Sequence, residues 1–292
     1  NEPDFDVGTP QSTWAGSEYE YYLLLKTASL VMKRANPKVR IIFAGTTYWA
    51  DVLKNRALFL DRVLWQISQD PAAATHGFYF DAVDLHLYSR PEQILTITKA
   101  YREVLARYGL KKPLWISETN VVPHDDPFAN VPRGGFRASL AEQASFIIQA
   151  FALARVAEVE RIAVYKLVDG RIERGEPYGL VRNDGTIRPA YVAFQVAARY
   201  LALPGKVTHS IANDVERIVI DGGSTRVTVL WSKVPQQRQA TVVPVGAAAK
   251  LVTPDGVERK LALPDDPDAP VYRVTLRPAT AKVRAERAAR QG

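Results

Sequence analysis

Apolar and polar positions alternate with two different periods over residues 17–203 of the chain. Short apolar runs typical of buried strands occupy residues 39–44, 80–88, 114–119 and 161–167. Between them, apolar residues recur every three to four positions, which predicts helices over 17–36, 52–69, 91–109, from 139 onward and over 189–203. Four strand–helix repeats behind one leading helix predict an α/β fold with a parallel sheet covered on both faces.

Two architectures fit this alternation, a doubly wound sheet and a (β/α)8 barrel. No Gly-x-Gly-x-x-Gly follows any predicted strand, which disfavours a dinucleotide-binding fold. Two local signals mark helix starts, because Ser17 and Ser139 are each followed three residues later by a glutamate, as in a capping box.

The pattern changes after Pro204-Gly205. Short β-rich runs separated by Gly, Pro and Asp turn signals occupy 216–220, 226–231, 240–243, 249–253, 258–263 and 271–276. They predict an antiparallel β-sandwich over residues 204–280, followed by a frayed basic tail over 281–292.

Composition narrows the function classes. The chain has 292 residues, of which 47% are apolar and 24% charged, the mixture of a packed globular protein. No apolar run is long enough to span a bilayer, and the absence of cysteine excludes disulfides, thiolate metal sites and a cysteine nucleophile. Four basic residues and one acidic residue in the last dozen account for +3 of the net charge of +7, so we expect no nucleic-acid partner.

A carboxylate ends one predicted strand, in Trp115-Ile116-Ser117-Glu118. Strict alternation puts Leu114, Ile116 and Glu118 on one face and Trp115 and Ser117 on the other. In a barrel, the carboxyl ends of the strands are where catalytic groups lie. Trp65, Trp115 and Trp231 are expected in the core.

A second strand carries polar residues in line. Asp84, His86 and Tyr88 share one face of the predicted strand 80–88, and burying them is costly unless they are paired. We expect His86 and Tyr88 to converge on a carboxylate and a substrate, and Asp84 to be a structural hydrogen-bond acceptor.

Together with Asn1-Glu2-Pro3, these strand ends resemble a known clan. The Asn-Glu-Pro motif, the pair His86-x-Tyr88 and Trp115-x-x-Glu118 are similar to those that end strands four, six and seven of retaining (β/α)8 glycoside hydrolases, most of all family 39-like and family 5-like enzymes. The stretch 178–191 resembles the segment after strand eight. The likeness covers residues 1–203, which it implies to be a partial (β/α)8 barrel running from the end of strand four to helix eight.

The resemblance implies a role for each matching residue. Glu2 would be the general acid/base and Glu118 the nucleophile of a retaining double displacement. Asn1 would bind the 2-hydroxyl group of the sugar, while His86 and Tyr88 would orient Glu118 and contact the sugar. Such chemistry needs the two carboxyl groups about 5–5.5 Å apart.

Five further residues are expected at the substrate or beside it. Trp14 and Trp49 fall in loops after strand ends and could stack on sugar rings, and Asn120 follows Glu118 closely. The clan usually ends strand eight with a tryptophan, whereas this chain has Tyr165-Lys166, so these two residues are expected to line the site instead. The long loop 121–137 is expected to wall the cleft.

The resemblance implies no cofactor and no metal, and an oligosaccharide or glycoside as the substrate. His124-Asp125-Asp126 has no partner at ligand spacing and is expected to be a solvated loop. The alternative function is a non-catalytic carbohydrate-binding or scaffold protein that uses the same cleft.

A full barrel needs about 250 residues. We therefore expect the chain to be a fragment that lacks strands one to three, and we expect an extracytoplasmic or secreted location. The sugar, the linkage, endo or exo action and the oligomeric state stay open.

Overall fold

The structure, a computed structural model, describes residues 1–88, 90–128, 137–170, 176–262, 264 and 270–279. The chain divides into two compact units, Asn1–Asn120 with Ala157–Lys166 and Val121–Val156 with Leu167–Gly292. Among the described residues, no helix is long and apolar enough to cross a membrane. The domain boundaries predicted at 203/204 and 280/281 rest on changes in the sequence pattern and stay predictions.

A four-stranded parallel sheet forms the centre of the first unit. Its strands, in spatial order, are β1 (Ile42–Thr46), β2 (Ala82–His86), β3 (Leu114–Glu118) and β6 (Arg161–Ile162). The predicted parallel sheet is thus confirmed, although the strand expected over 161–167 is short. Pairing continues beyond it, because the Ala163 and Tyr165 N–H groups donate to the carbonyl oxygens of Ile116 and Thr119.

Four α-helices accompany this sheet in the first unit. They are α1 (Glu18–Ala35), α2 (Trp49–Val52), α3 (Phe59–Ser68) and α4 (Gln93–Arg107), and a 3-10 segment spans Ala74–Tyr79. Both predicted capping boxes are present, at Ser17 with Glu20 before α1 and at Ser139 with Glu142 before the later helix α5. In each box the serine hydroxyl and the glutamate carboxylate bind backbone N–H groups that have no partner within the helix.

The single helix predicted over 52–69 is wrong. Asn55 has φ 52°, in the left-handed region, and separates α2 from α3. The buried carboxylate of Asp51 accepts the first-turn N–H of Phe59 at 2.7 Å and bonds to Arg56 and Arg62. Because this carboxylate binds the start of α3, the chain turns where periodicity alone predicts a continuous helix.

The core of the first unit is aromatic and aliphatic. Tyr21, Phe43 and Phe59 pack with ring centroids 5.1–6.1 Å apart, and Phe43 also meets Phe80. The largest fully buried apolar side chains of this unit include Tyr79, Tyr101, Phe43, Phe80, Leu60, Leu64, Ile67, Leu85, Ile94, Ile97 and Leu105. They come from β1, β2, α3 and α4 and their flanks, so the core of this unit lies between the sheet and its helices.

Two tryptophans that were expected in this core, Trp65 and Trp115, lie outside it. Trp65 is 56% exposed because α3 turns its buried face to the other side. Trp115 lies half-buried between the guanidinium groups of Arg40 and Arg161, and its indole N–H donates to Glu160 at 2.7 Å. A tryptophan can thus be held by cations and a carboxylate at the edge of a core.

The second unit joins helices to small sheets. It contains α5 (Leu140–Val156) and α6 (Pro189–Tyr200), with the short parallel pair β4 (Val122–Pro123) and β5 (Arg137–Ala138). The two helices pack through small residues, because Ala150, Ala193 and Ala197 are all buried.

Antiparallel strands follow, as the texture after residue 204 predicts. They are β7 (Lys206–Ala212), β8 (Val215–Asp221), β9 (Arg226–Ser232), β10 (Arg238–Val242), β11 (Ala249–Val252), β12 (Glu258–Leu261) and β13 (Tyr272–Leu276). They form a β7-β8-β9 sheet and the pairs β10-β13 and β11-β12. A small core of Val215, Ala240 and Leu276 joins the β7-β8-β9 sheet to the β10-β13 pair. Strand β7 was not predicted, because its residues are mostly exposed and show little apolar signal. The predicted tail, 281–292, lies outside the described residues.

A buried ion-pair network organises the loops around α6. Arg188 is 0% exposed and donates to both carboxylate oxygens of Asp169, at 2.7 and 2.8 Å, and to Asp126 at 2.6 Å. Asp126 also binds Arg182 at 2.9 Å, so the solvated loop expected at 124–126 is wrong for this residue. Every buried charge here has a partner, which offsets the cost of removing it from water.

Arg188→Ala should therefore destabilise the fold strongly. It leaves the carboxylates of Asp169 and Asp126 buried without their shared cation, so we expect the free energy of unfolding in urea to fall by about 3–5 kcal/mol. Arg226→Ala is the matched control, because it breaks a single exposed pair with Asp221 and should cost less than about 1 kcal/mol. Equal losses for the two variants would contradict the importance of the network.

Candidate functional site

The ends of β2 and β3 bring polar side chains together. Parallel strands end at the same edge of a sheet, and the register pairs His86 directly with Glu118. Tyr88, two residues beyond β2, donates its hydroxyl hydrogen to Glu118 Oε2 at 2.6 Å. The two strand ends therefore form one polar cluster.

An irregularity in the sheet shapes this cluster. Leu85 pairs with Ile116 and His86 with Glu118, so Ser117 is an extra residue in β3, as in a β-bulge. Asp84 accepts the Ser117 N–H at 2.9 Å and also contacts the Ser117 hydroxyl group. The expectation that Asp84 is a structural acceptor is thus confirmed.

The bulge overturns the predicted faces of β3. Strict alternation separates Ser117 from Glu118, but both side chains reach the same cluster: Ser117 contacts Asp84, Glu118 lies 3.5 Å from His86, and Asp84 lies 3.6 Å from the same ring. An extra residue shifts the alternation by one, so the two neighbours no longer point apart.

Glu2 enters the cluster from the N-terminal segment. Its N–H donates to the carbonyl oxygen of Gly45 in β1 at 2.9 Å, which places it at the same edge of the sheet. Its side chain, 17% exposed, reaches His86 Nδ1 with Oε1 at 2.9 Å. Its φ of 39° lies in the left-handed region, an uncommon conformation for a residue with a side chain.

One imidazole ring thus joins three carboxylates. His86 Nδ1 lies 2.9 Å from Glu2 and 3.5 Å from Glu118, and His86 Nε2 lies 3.6 Å from Asp84. One oxygen of Glu2, one of Glu118 and a ring nitrogen of His86 all lie within 4.8 Å of one another. The two glutamates, far apart along the chain, meet at the same ring nitrogen, His86 Nδ1.

The charge on His86 follows from these neighbours. Burial by itself lowers the pKa of the imidazole, but the nearby Asp84 carboxylate, the hydrogen bond to Glu2 and the negative charge of Glu118 outweigh it and raise the pKa to about 9. His86 is therefore an imidazolium at neutral pH. Its positive charge offsets part of the repulsion between the carboxylates.

An anchor that the sequence did not reveal holds the segment carrying Glu2. The buried carboxylate of Asp4 accepts the N–H and the hydroxyl hydrogen of Thr47, each at 2.8 Å. Arg56 donates to the carbonyl oxygen of Asp4 and to the carboxylate of Asp6, each at 2.6 Å. Asp4 and Asp6 directly follow the Asn-Glu-Pro motif, but their partners lie more than forty residues away.

Three predicted substrate residues, Asn120, Tyr165 and Lys166, lie just after β3 and β6. Asn120 is fully buried and donates its amide N–H to the Tyr165 carbonyl oxygen at 2.9 Å. The Tyr165 ring meets Tyr88 edge-on with centroids 6.4 Å apart, and Lys166 Nζ lies 3.4 Å from the Tyr165 hydroxyl group. Tyr165 thus adjoins the cluster through Tyr88, while contact of these residues with a sugar stays a prediction.

The other three predicted substrate residues are Asn1 and Trp14 in the N-terminal segment and Trp49 after β1. Asn1 is exposed, and its carbonyl oxygen accepts the Thr13 hydroxyl hydrogen, which brings the loop of Trp14 back beside it. Trp14 packs edge-on against Tyr21 at 5.7 Å. Trp49, 38% exposed, packs against Tyr48 at 5.1 Å. Sugar stacking by either tryptophan stays a prediction, as does the sugar contact of Asn1.

A metal ion would need Glu2, His86 and Glu118, the group of ligand-type side chains that lies close enough among the described residues. A metal ion bound to Nδ1 would have to displace the proton that the raised pKa of His86 keeps on the ring. Residues 129–136 of the loop expected to wall the cleft lie outside the described residues.

Comparisons with known proteins give the fold. No family profile and no curated protein sequence matches the chain. Solved structures do: a family 39 glycoside hydrolase from Bacteroides cellulosilyticus WH2 (TM-score 0.62, 16% identity) is matched over 95% of this chain and 55% of its own. A glucosidase from Croceicoccus marinus (TM-score 0.55, 19% identity) is matched over 75% and 46%.

A family 30 endoxylanase from Clostridium papyrosolvens C71 (TM-score 0.56, 14% identity) is matched over 96% of this chain and 61% of its own. The chain thus spans roughly half of the structures that it matches, and it shares the fold of the clan of (β/α)8 glycoside hydrolases over that part. At these identities the likeness concerns the fold alone.

The charge on His86 predicts a pH-dependent stability. A pKa raised from 6.5 to about 9 stabilises the folded state below pH 6.5, and this stabilisation is lost as the pH rises through 9. Urea unfolding between pH 6 and pH 10 should show wild type losing roughly 3 kcal/mol more than His86→Asn. His76→Asn is the control, because the exposed His76 ring stacks on Tyr79 and its removal leaves the three carboxylates in place. Parallel curves for wild type and His86→Asn would contradict the charge assignment.

Proposed function

We propose that this protein is a retaining glycoside hydrolase in which Glu118 is the nucleophile and Glu2 the general acid/base. The observation that carries the proposal is the approach of the two carboxylates, whose oxygens lie within 4.8 Å of each other beside His86. This separation fits the retaining mechanism, since inverting enzymes keep their carboxyl groups about 6.5–9.5 Å apart to admit a water molecule. The fold shared with glycoside hydrolases supports the same reaction class.

The reaction takes two displacements. A Glu118 oxygen attacks the anomeric carbon, the bond to the glycosidic oxygen breaks, and Glu2 gives its proton to that oxygen as it leaves. Glu2, now a carboxylate, then takes a proton from water, whose oxygen attacks the same carbon and releases Glu118. The anomeric configuration is retained because it is inverted twice.

His86 and Tyr88 would support this exchange. The Tyr88 hydroxyl group holds Glu118 Oε2 and restricts the rotation of the carboxylate. The His86 imidazolium contacts both glutamates through Nδ1, where it stabilises negative charge on whichever carboxylate is ionised. Asn1 is proposed to bind the sugar 2-hydroxyl group, with Tyr165 and Lys166 beside the ring and Trp14, Trp49 and Asn120 nearby.

The proposed substrate is an oligosaccharide or glycoside, and no cofactor takes part. The matched structures include a glucosidase and an endoxylanase by name, and we assign neither sugar to this chain. We propose that β1, β2, β3 and β6 correspond to strands five to eight of a (β/α)8 barrel, and that the strands after residue 204 form an appended β-sandwich.

The roles of the two glutamates can be separated by substrate choice. We expect Glu118→Gln to lower kcat/KM at least about 1000-fold on every aryl glycoside that the wild type cleaves. Glu2→Ala should spare the first step on dinitrophenyl glycosides, because their leaving group needs no proton, and added azide should restore turnover by replacing activated water. Steady-state kinetics with and without azide measure both effects.

Glu103→Gln, on the exposed side of α4, is the matched control and should keep wild-type kinetics. Unchanged hydrolysis in Glu118→Gln would refute the nucleophile assignment. Wild-type protein that binds oligosaccharides but cleaves none across a panel of sugars would favour a non-catalytic carbohydrate-binding protein.

Tyr88→Phe tests the positioning of the nucleophile. Removing a hydrogen bond to a charged group is worth about 1.5–3 kcal/mol, so kcat should fall roughly 10- to 100-fold while KM changes little. Tyr108→Phe, which removes a hydroxyl group that donates to Asp61, should leave kcat unchanged. An equal effect of the two variants would contradict the role of Tyr88.

A further inference from the structure

Gly45, the fourth residue of β1, lies against both Glu2 and His86 of the candidate site. Its carbonyl oxygen accepts the Glu2 N–H at 2.9 Å, which fixes the backbone of the proposed acid/base. The imidazole ring of His86 occupies the space beside its Cα atom. A Cβ atom built on Gly45 would lie less than 3.0 Å from Nε2, Cδ2 and Cε1 of that ring.

This position needs glycine for space and not for backbone conformation. The φ angle of Gly45 lies outside the left-handed region, so its backbone would accept alanine. The obstacle is the His86 ring, which is 4% exposed and held by Glu2, Asp84 and Glu118. A ring fixed on several sides has nowhere to move without breaking one of these contacts.

We propose that Gly45 is a positioning residue that sets the contact between His86 and the two proposed catalytic glutamates. A methyl group at this position pushes the ring toward the carboxylates or away from them. Either movement changes the Nδ1 contacts at 2.9 and 3.5 Å. Gly45 also accepts the hydrogen bond of the Glu2 N–H group. A displacement at Gly45 therefore affects Glu2 both through its backbone and through the contact of its carboxylate with His86.

The first test is Gly45→Ala against Gly246→Ala. A Cβ atom added at Gly246 would meet no other atom within 4 Å, and its φ is not left-handed, so alanine there changes only the residue type. Ring ¹⁵N NMR titration of the four histidines, with His86 assigned by its absence in His86→Ala, reads the site without any substrate. In Gly45→Ala the pKa of His86 should move clearly away from its value of about 9, because displacing the ring changes its distances to the carboxylates.

Kinetics supply the second measurement, and this measurement alone rests on the proposed function. A displacement near 1 Å can cost about 100-fold in rate, so kcat of Gly45→Ala should fall by that order with a small change in KM. If wild type cleaves no glycoside, the proposed function fails while the NMR result still tests Gly45. An unchanged His86 pKa together with unchanged kcat would overturn the positioning role.

A third measurement covers the case in which Gly45→Ala folds poorly. Thermal unfolding midpoints are compared for Gly45→Ala made in the wild-type chain and in His86→Ala. If the added methyl group clashes with the His86 ring, its destabilising effect should largely vanish once the ring is removed, since contacting residues are not additive. An equal fall of the midpoint in both backgrounds would overturn the proposal, because the clash would then involve some other group.

Discussion

The candidate site depends on one buried cation among three carboxylates. His86 joins Glu2, Glu118 and Asp84 at 2.9–3.6 Å, and without its positive charge these acidic groups would repel one another in a region with little water. The same contacts that raise the pKa of His86 hold the two glutamates at a fixed separation. The stability of this site and its proposed chemistry therefore depend on the same interaction.

The backbone around this histidine departs from regular structure at each point of contact. The bulge at Ser117 redirects Glu118 toward the ring, and Asp84 binds the N–H group that the bulge leaves unpaired. Glu2 adopts a left-handed φ, and Gly45 leaves room for the imidazole. Such departures cost free energy and persist where the surrounding contacts enforce them. For Glu2, the anchor of Asp4 and Arg56 supplies those contacts.

The fold similarity and the site support the proposed function in different ways. TM-scores of 0.55–0.62 to glycoside hydrolase structures show a shared fold, and at identities of 14–19% this likeness carries no information about activity. The case for hydrolysis rests instead on the geometry of Glu2 and Glu118. Where the clan that the sequence resembles has a tryptophan, this chain has Tyr165, which lies edge-on to Tyr88, and Lys166, which contacts the Tyr165 hydroxyl group.

The sequence alone determined the alternation of strands and helices over 17–203 apart from the break within 52–69, the capping boxes at Ser17 and Ser139, and the presence of Glu118, His86 and Tyr88 at strand ends. These features depend on periodicity and on residues a few positions apart, which a linear pattern contains. Only the tertiary structure decided the break at Asp51, the bulge at Ser117, the space beside Gly45 and the network of Arg188. The bulge and the Arg188 network depend on contacts between residues 19 to 62 positions apart, and the space beside Gly45 depends on the ring of His86 from another strand. The break at Asp51 depends on a buried carboxylate that binds residues 5 to 11 positions away, and apolar periodicity encodes none of these contacts.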